Sequence, residues 1–368
     1  MTTPAPKQPD TPIVVQKYGG SSLSDPEALK RVAAGIAERV QEGARLVVVV
    51  SAMGGSTDDL IKLARQVSPA PKRRELDMLL STGERVTMAL LSMAIADQGV
   101  EAISFTGSQC GIITNDRHTD ARIIEVRPVR VEDELARNRV VIVAGFQGMS
   151  YTREITTLGR GGSDTTALAL AAALGASACE IYSDVPGVFS ADPRHVSGAH
   201  PLENISYGSL ETMALYGAKV LHADAVAWAR RAGIQFRARQ TGNSSRGTHV
   251  GAFEHKGIQA VTSSKNRAFL IQAQGRDRYA KALIHASDQG WLINTENLHG
   301  EQPGQPCFTL SVVGERLLED PSVLEAFLQL IDGAEAWWST PHGLHARLSP
   351  QTDLPDLTQR AHDRFVGA

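Results

Sequence analysis

The stretch Thr156-Thr-Leu-Gly-Arg-Gly-Gly-Ser-Asp-Thr-Thr166 decides how the rest of the chain is interpreted. It follows a short apolar strand that ends near Ile155, and it precedes an alanine-rich run over residues 167–178 that is typical of a buried helix. Its glycines allow a tight turn and a close approach of the backbone to a ligand. The start of the following helix favours a bound anion. An ordinary glycine-rich turn fits these residues equally well, so the other elements have to distinguish the two interpretations.

Length and composition narrow the class of protein. At 368 residues the chain is long enough for two or three domains, and its formal net charge of -3 gives no basic surface of the kind that binds nucleic acid. All apolar runs are shorter than a membrane span, so neither a nucleic-acid nor a membrane partner is expected. Cys110, Cys179 and Cys307 form no disulfide or metal pattern, which favours a reducing, cytoplasmic location. Residues 1–12 are rich in Pro and Thr and predict a flexible tail rather than a signal peptide.

Strands and helices alternate through the first two thirds of the chain. The runs Leu46-Val-Val-Val-Val50 and Val140-Val-Ile-Val-Ala144 are continuously apolar, as buried parallel strands are. Between residues 26 and 42 the apolar residues recur with a helical period. This alternation predicts an α/β domain whose mostly parallel sheet is sandwiched by helices. Because ligands of such sheets bind beyond the carboxyl ends of the strands, the glycine turns after the strands are expected to converge on one crevice.

The pattern changes after residues 241–257, which are rich in Gly, Asn and Ser and predict a linker. Over residues 268–339 the order strand, helix, strand, strand, helix, strand is predicted, with the first helix at 277–289. This βαββαβ order is that of a small ferredoxin-like domain. The last twenty residues, 349–368, are polar and are expected to be peripheral.

The glycine turns carry charged residues but no standard nucleotide-binding motif. The chain lacks the G-x-x-x-x-G-K-[ST] sequence of P-loop enzymes and a G-x-G-x-x-G sequence after its first strand. Lys17 instead follows the first strand directly, beside Gly19 and Gly20. A lysine there can reach phosphate groups while glycine N–H groups surround them. Taken alone, Lys17 would fit a solvent-exposed surface lysine better, so its interpretation depends on the other turns.

Several motifs occur in an order and spacing that resemble one known family. They are Lys17-Tyr-Gly-Gly-Ser-Ser22, Val50-Ser-Ala-Met-Gly54, Ser81-Thr-Gly-Glu84, Gly145-Phe-Gln-Gly148, the opening stretch, Tyr182-Ser-Asp-Val-Pro-Gly-Val-Phe-Ser-Ala-Asp-Pro-Arg194 and Gly217-Ala-Lys-Val-Leu-His222. From Val14 to about Val250 this series resembles the aspartate kinases of the amino-acid kinase family. The C-terminal part resembles the ACT-type regulatory region of these kinases. The resemblance implies a flexible tail (1–12), an amino-acid kinase catalytic domain (13–243), an ACT-like regulatory and dimerisation domain (257–348) and a polar C-terminal tail (349–368).

The implied reaction is transfer of a phosphoryl group from ATP to the side-chain carboxylate of L-aspartate, which gives 4-phospho-L-aspartate. This would be the first step of the pathway from aspartate to lysine, threonine and methionine. A carboxylate with a pKa of ~4 is already ionised at neutral pH, so the reaction needs no general base. By resemblance, Lys17 and Lys219 neutralise the transferred group and Asp164 orients the lysines. Mg²⁺ is expected to arrive with ATP, held by phosphates and water, so no metal site made of side chains is expected.

The resemblance also assigns binding residues. Arg160 and Arg122 carry planar guanidinium groups that can grip a carboxylate, and Glu84 can accept a hydrogen bond from the ammonium group. For Glu84 and Arg122 a surface charge is the alternative, and for Asp192 a simple turn. The remaining expected substrate contacts are Ser51, Thr57 and Ser163, and the expected ATP contacts are Lys17, Tyr18, Gly19, Gly20, Ser183, Asp184, Asp192, Arg194 and Lys219.

Some features depart from the family pattern and leave alternatives open. Family members usually have two ACT units, whereas about one hundred residues follow the linker in this chain, enough for one. We therefore expect a homodimer formed through the C-terminal domain, with strand 307–313 as its edge, and weak or absent feedback inhibition. Two other functions compete: a kinase that acts on glutamate or N-acetylglutamate, and a non-catalytic effector-binding protein that keeps the fold.

Overall fold

The computed structural model describes residues 11–270, 283–287, 290–295 and 304–367. Contacts divide the chain into two compact units. Unit 1 comprises Met1–Gly187 and Asp224–Ala252, and unit 2 comprises Val188–Ala223 and Phe253–Ala368. The segment Val188–Ala223 was expected within the catalytic domain (13–243), but it groups with the C-terminal residues instead.

Both units contain helices and strands. In chain order, the helices are α1 (Pro26–Gln41), α2 (Ser56–Val67), α3 (Arg73–Ala96), α4 (Val129–Ala136), α5 (Gly162–Ala173), α6 (Tyr207–Tyr216), α7 (Ala223–Ala232), α8 (Pro321–Leu330) and α9 (Leu354–Phe365). The strands are β1 (Ile13–Tyr18), β2 (Arg45–Val50), β3 (Ala102–Phe105), β4 (Ile112–Thr114), β5 (Ile123–Val126), β6 (Val140–Ala144), β7 (Gln147–Ser150), β8 (Ile155–Thr157), β9 (Ala178–Ser183), β10 (Asn204–Ser206), β11 (Phe236–Gln240), β12 (Asn243–Gly251), β13 (Gly257–Leu270), β14 (Leu283–Ser287), β15 (Gly290–Asn294), β16 (Gln305–Glu315), β17 (Ala336–Thr340) and β18 (Gly343–Leu348).

The main sheet of unit 1 has the strand order β12-β11-β9-β1-β2-β6-β3. Its neighbouring strands run parallel, except that β12 pairs antiparallel with β11. Strand β12 occupies much of the expected linker over 241–257, which is therefore corrected. Its Gly- and Ser-rich sequence pairs with β11 in an antiparallel ladder, and Val250 near its end is buried.

The core of unit 1 follows from the alternation of side chains along its parallel strands. Val14, Val48 and Ile142 pack with α1 and α3 in one cluster of buried residues. The intervening residues of these strands are also buried, and α5 contacts the sheet together with α4. Helix α5 is buried over most of its length because its alanines allow close packing. The expected α/β architecture, a mostly parallel sheet between helices, is confirmed.

A second sheet in unit 1 has the order β5-β4-β7-β8. Helix α3 packs against β8 of this sheet and against β3 and β6 of the main sheet. By length and composition alone α3 is apolar enough to cross a membrane. It nevertheless buries the carboxyl groups of Asp77 and Glu84 inside the protein, as a core helix does.

Unit 2 is built on an antiparallel sheet with the order β14-β15-β13-β16-β18-β17. Helices α8 and α9 share one cluster of buried residues with β13, β16 and β18, and the ACT-like domain of the expected fold class is confirmed. Of the helix expected at 277–289, residues 283–287 form strand β14 and the others lie outside the described residues. The expected edge strand 307–313 is wrong, because β16 lies between β13 and β18.

The expected polar tail at 349–368 contains helix α9, which belongs to the core of unit 2. Leu354, Leu357 and Ala361 form a buried stripe at helical spacing. His362 is also buried, and its Nε2 atom lies 3.0 Å from Ser190 Oγ. The polar composition of this segment therefore reflects only the exposed face of an amphipathic helix.

Because Leu357 is fully packed in this core, Leu357→Ala should lower the free energy of unfolding of unit 2 by about 2–4 kcal/mol. Leu328→Ala is the matched control, since Leu328 lies on α8 and is 38% exposed. Urea unfolding followed by tryptophan fluorescence measures both, because Trp291, Trp337 and Trp338 lie in unit 2. Equal midpoints for the two variants would contradict the packing of α9.

Candidate active site

The turns that follow β1, β2 and β6 interlock at the carboxyl ends of the parallel strands. Gly54 N donates to Gly20 O over 3.1 Å, and Gly145 N donates to Val50 O over 3.0 Å. A side chain at Gly20 would place its Cβ atom 2.8 Å from the Ala52 carbonyl oxygen. Glycine is therefore required at this position for the turns to approach each other so closely.

An ion pair links the first strand to the opening stretch. Lys17 Nζ, at the end of β1, lies 2.6 Å from Asp164 Oδ1, in the first turn of α5. The two side chains are only 12% and 11% exposed. Within the described part of the chain, Asp164 Oδ1 receives no hydrogen bond of regular geometry, so its contact with Lys17 is an ion pair. The predicted catalytic residues Lys17 and Asp164 are thus brought together.

Glycine residues lie beside the ammonium group of Lys17. A Cβ atom at Gly19 would lie 3.6 Å from Lys17 Nζ, so a larger side chain there would contact the ammonium group. Gly159 and Gly161, on the other side of the pair, have φ angles of +77° and +71°, which other L-residues rarely adopt. Glycine turns therefore border the ammonium group of Lys17 and the start of α5, where an anion such as phosphate is favoured.

Glu84 lies on α3 and is almost completely buried. Its Oε1 atom accepts a hydrogen bond from Ala52 N over 3.1 Å, whereas Oε2 has no partner among the described residues. Burial raises the pKa of Glu84 to about 7, and the hydrogen bond from Ala52 opposes this rise. A buried carboxylate with one free oxygen can accept a cationic ligand group, which would restore its ordinary ionisation.

The expected substrate contacts Ser51 and Ser163 lie in the same set of turns. Ser51 N donates to Tyr18 O over 3.2 Å. A Cβ atom at Gly145 would be 2.8 Å from the Cβ atom of Ser163, so the β6 turn touches the start of α5. Thr57 is half-buried in the first turn of α2.

The two expected carboxylate-binding arginines, Arg160 and Arg122, have exposed side chains. Arg160 is part of the glycine turn before α5. Arg122 follows Ala121, whose N–H donates to Thr157 O over 2.9 Å at the end of β8. Both arginines are therefore attached to the β8 end of the second sheet.

Tyr18 was expected to contact ATP, and the structure corrects this for its side chain. The ring is buried in the core of unit 1 and stacks on Tyr182, with centroids 4.8 Å apart. Its hydroxyl group donates to Gln16 Oε1 over 3.3 Å, and burial raises its pKa. Side chains alternate along β1, so Lys17 and Tyr18 point to opposite faces of the strand.

The expected nucleotide contacts Ser183 and Asp184 lie at the end of β9 in unit 1. Thr241 N donates to Ser183 O over 2.9 Å, and Gln240 Nε2 donates to Asp184 O over 3.2 Å, so their backbone is fixed by the end of β11. Lys219 belongs to unit 2.

Asp192 and Arg194 also belong to unit 2, and they contact each other. Arg194 donates from Nε and Nη2 to the two carboxylate oxygens of Asp192, over 3.0 Å and 2.7 Å. These hydrogen bonds lower the pKa of Asp192. The paired hydrogen bonds between Arg194 and Asp192 therefore close this turn, as the alternative interpretation of Asp192 predicts. The nucleotide-binding roles of both residues stay predictions.

Backbone groups of the site could not be identified from residue types. The N–H group of Ala52 bonds to Glu84, and the close contacts of Gly145 align the β6 turn with Ser163. The only sequence signal for either is its position in a motif directly after a buried strand. Over the described ranges of the chain, no group of three or more His, Cys, Asp or Glu side chains could hold a metal ion.

Because the Lys17–Asp164 pair is largely buried, Lys17→Met should leave an uncompensated carboxylate and lower the free energy of unfolding by about 3 kcal/mol. Lys62→Met is the matched control: Lys62 Nζ lies 2.9 Å from Asp59, but these side chains are 72% and 73% exposed. Solvent screens that pair, so its loss should change stability little. Urea unfolding of both variants tests this, and equal losses would refute the importance of the buried pair.

Comparison with known proteins places this site in a family. The sequence model of the amino acid kinase family matches residues 12–237. The aspartokinase of Mycobacterium tuberculosis H37Rv is 55% identical over 239 residues, which are 65% of this chain and 57% of that protein. The aspartokinase of Geobacillus stearothermophilus is 50% identical over 238 residues, 65% of this chain and 58% of that protein. The chain thus spans less than two thirds of the length of these relatives.

Solved structures agree with the sequence comparison. Aspartate kinase from Synechocystis is 32% identical, with a TM-score of 0.61, and the match covers 96% of this chain and 68% of that one. Aspartokinase III from E. coli, solved with aspartate and ADP, is 23% identical with a TM-score of 0.79, over 95% of this chain and 99% of that one. This second likeness concerns the fold. Since the family match covers more than half of the sequence and includes Lys17, Glu84 and Asp164, the chain belongs to the amino acid kinase family.

Proposed function

We propose that this protein is an aspartate kinase, a phosphotransferase that moves the γ-phosphoryl group of ATP to the side-chain carboxylate of L-aspartate. The observation that carries the proposal is the buried Lys17–Asp164 pair among interlocked glycine turns, with the half-satisfied carboxylate of Glu84 on the same turns. The relatives named aspartokinase support the same activity. As products of this reaction, ADP and 4-phospho-L-aspartate would leave the site.

The chemistry of this transfer needs alignment and neutralisation of charge. The acceptor carboxylate is already ionised at neutral pH, so no residue has to remove a proton from it. Lys17 would contact the transferred phosphoryl group, and the nearby glycine turns would let its oxygens approach backbone N–H groups. Asp164 holds the ammonium group of Lys17 at 2.6 Å, which fixes its direction before a ligand binds. Mg²⁺ bound to the phosphates of ATP would supply further neutralisation of their charge.

Recognition of aspartate would use the two ends of the amino acid. The unpartnered Oε2 atom of Glu84 would accept a hydrogen bond from the ammonium group. The exposed guanidinium groups of Arg160 and Arg122 would bind a carboxylate through paired hydrogen bonds. Ser51, Thr57 and Ser163 would complete the contacts.

In unit 1, the proposed nucleotide contacts lie at the carboxyl ends of β1 and β9. Gly19 and Gly20 would surround the phosphates, and Ser183 and Asp184 at the end of β9 would meet the ribose or adenine. Lys219, Asp192 and Arg194 stay predicted ATP contacts, and Arg194 bonds to Asp192 in the structure.

Self-association and location are also proposals. Strand β17 is an outer strand of the unit 2 sheet as described, and its Trp337 is 45% exposed. An outer strand with an exposed aromatic residue favours pairing with a second chain, so we propose a homodimer formed through β17 rather than β16. Cys110, Cys179 and Cys307 are free and buried, which supports a reducing compartment such as the cytoplasm.

The direct test is ATP-dependent formation of the hydroxamate from an acyl phosphate, with aspartate, glutamate and N-acetylglutamate as acceptors. Of the three acceptors, only aspartate should give product. Lys17→Met should reduce kcat at least a hundredfold, because the contact of Lys17 with the phosphoryl group is strongest in the transition state. Product from N-acetylglutamate would favour the competing kinase. Absence of product with every acceptor, for a folded protein, would favour the non-catalytic alternative.

Because the ionised form of Glu84 binds the ammonium group, aspartate binding should weaken as the pH falls through about 7, the pKa of this carboxyl group. Burial favours the neutral form of Glu84 and so raises its pKa. The ionised fraction, and with it the affinity for aspartate, therefore decreases as the pH falls. The KM for aspartate should rise about fivefold from pH 7 to pH 6, in proportion to the ionised fraction that is lost.

This pH dependence is measured with saturating ATP, in the wild type and in Glu84→Gln. The variant should bind aspartate weakly at every pH and lose the dependence, since its amide does not titrate. A wild-type KM that stays constant between pH 6 and pH 8 would exclude Glu84 as the ammonium contact.

A further inference from the structure

Asp77 is a fully buried carboxylate that none of the catalytic motifs contains. It lies on α3 and joins distant parts of unit 1. Thr119 N donates to both of its oxygens, over 2.9 Å and 3.1 Å. The hydroxyl group of Thr157 donates to Oδ1 over 2.5 Å, and His118 Nδ1 lies 2.6 Å from Oδ2. The carboxyl group of Asp77 therefore has hydrogen-bonding partners for both oxygens, and it anchors the chain segments to which Thr119, Thr157 and His118 belong.

One of these partners is held in an unfavourable conformation. Thr119 has a φ angle of +66°, in the left-handed region that β-branched residues avoid. Such a conformation costs on the order of 1–3 kcal/mol and persists only where the surroundings enforce it. In this conformation the N–H group of Thr119 donates to both carboxylate oxygens of Asp77.

The anchored loop lies directly against the proposed substrate turn. A Cβ atom at Gly159 would be 3.5 Å from Thr119 O and from Asp120 Oδ1. Ala121 N donates to Thr157 O, so the loop is also attached to the end of β8. Arg160 follows Gly159 without a gap. The position of its backbone therefore depends on where residues 118–121 lie.

The same helix carries Glu84, seven residues after Asp77. Two turns of α-helix bring these residues to one face, about 10 Å apart along the axis. Glu84 meets the β2 turn through Ala52, and Asp77 meets the β8 end through Thr157. A rigid helix thus fixes the distance between the proposed ammonium contact and the proposed carboxylate contact.

We propose that Asp77 is a positioning residue of the substrate site. It holds the loop 118–121 in its strained conformation and thereby sets the position of Arg160 relative to Glu84. Helix α3 then fixes the distance between these two contacts and so selects the length of the amino-acid substrate. This inference rests on the proposed function for its substrate, whereas the anchoring of the loop does not. A merely structural Asp77 would stabilise the fold and leave the affinity for aspartate unchanged.

Steady-state kinetics of four variants test the positioning role. Asp77→Ala should raise the KM for aspartate at least tenfold and leave the KM for ATP within twofold. Asp77→Asn should stay within threefold of the wild type for aspartate, because its amide can still accept from Thr119 and Thr157. His118→Ala removes a partly exposed partner, should fold even if Asp77→Ala does not, and should raise the KM for aspartate at least threefold.

Thr87→Ala is the matched control. Thr87 is a fully buried polar residue of α3 whose hydroxyl group donates to Gly83 O within the same helix. This variant should lower the melting temperature without changing either KM. A KM for aspartate within twofold of the wild type in both Asp77→Ala and His118→Ala would overturn the proposal, as would equal increases in the KM values for aspartate and ATP.

Hydrogen exchange separates this inference from the proposed function. Ala121 N and Gly162 N bond to Thr157 O and Gly159 O and do not touch Asp77. Both amides should exchange at least tenfold faster in Asp77→Ala, or in His118→Ala if the former does not fold, and at the wild-type rate in Thr87→Ala. If the wild type forms no aspartyl hydroxamate, the proposed function fails, and the exchange rates alone decide the anchoring. Unchanged exchange would overturn it.

Discussion

The close approach of the strand-end turns is the constraint on which the site depends. At Gly20 and Gly145 a Cβ atom would come within 3 Å of backbone oxygens of the neighbouring turns. Only because these positions lack side chains can the ends of β1, β2 and β6 meet the start of α5. The ion pair between Lys17 and Asp164 is a consequence of this approach, since it joins the carboxyl end of β1 to the first turn of α5. The parallel sheet aligns the carboxyl ends of these strands, and the glycines allow the turns that follow them to touch.

Much of unit 1 could be predicted because its signals are local. Continuous apolar runs identify buried parallel strands, and a glycine turn directly after a strand is placed at the carboxyl edge of the sheet whatever the rest of the chain does. The motifs therefore predict that Lys17 and Asp164 lie at this edge, and the two side chains are in contact there. A motif does not distinguish Tyr18 from Lys17, whereas a strand points them to opposite faces, and the ring of Tyr18 lies in the core.

Other parts could not be predicted because their stability comes from distant partners. Strand β12 has few apolar side chains and exists through its ladder with β11. Helix α9 hides a narrow stripe, Leu354, Leu357 and Ala361, within a polar composition, so its burial follows from packing rather than from average polarity. Asp77 bonds to residues 42 and 80 positions away, and a single acidic residue in a helix gives no sign of such partners.

The two buried carboxylates of α3 illustrate how satisfaction of polar groups separates positioning from binding. Asp77 is fully buried and has donors on both oxygens, so its contacts are complete within the protein. Among the described residues, Glu84 has a donor on one oxygen and none on the other, and burial raises its pKa to about 7. Burying that oxygen without a hydrogen-bond donor costs free energy, and a cationic ligand offsets this cost when it binds. Helix α3 therefore carries two different carboxyl groups. Asp77 has its hydrogen bonds within the protein, whereas Glu84 has an oxygen that can accept a hydrogen bond from a substrate.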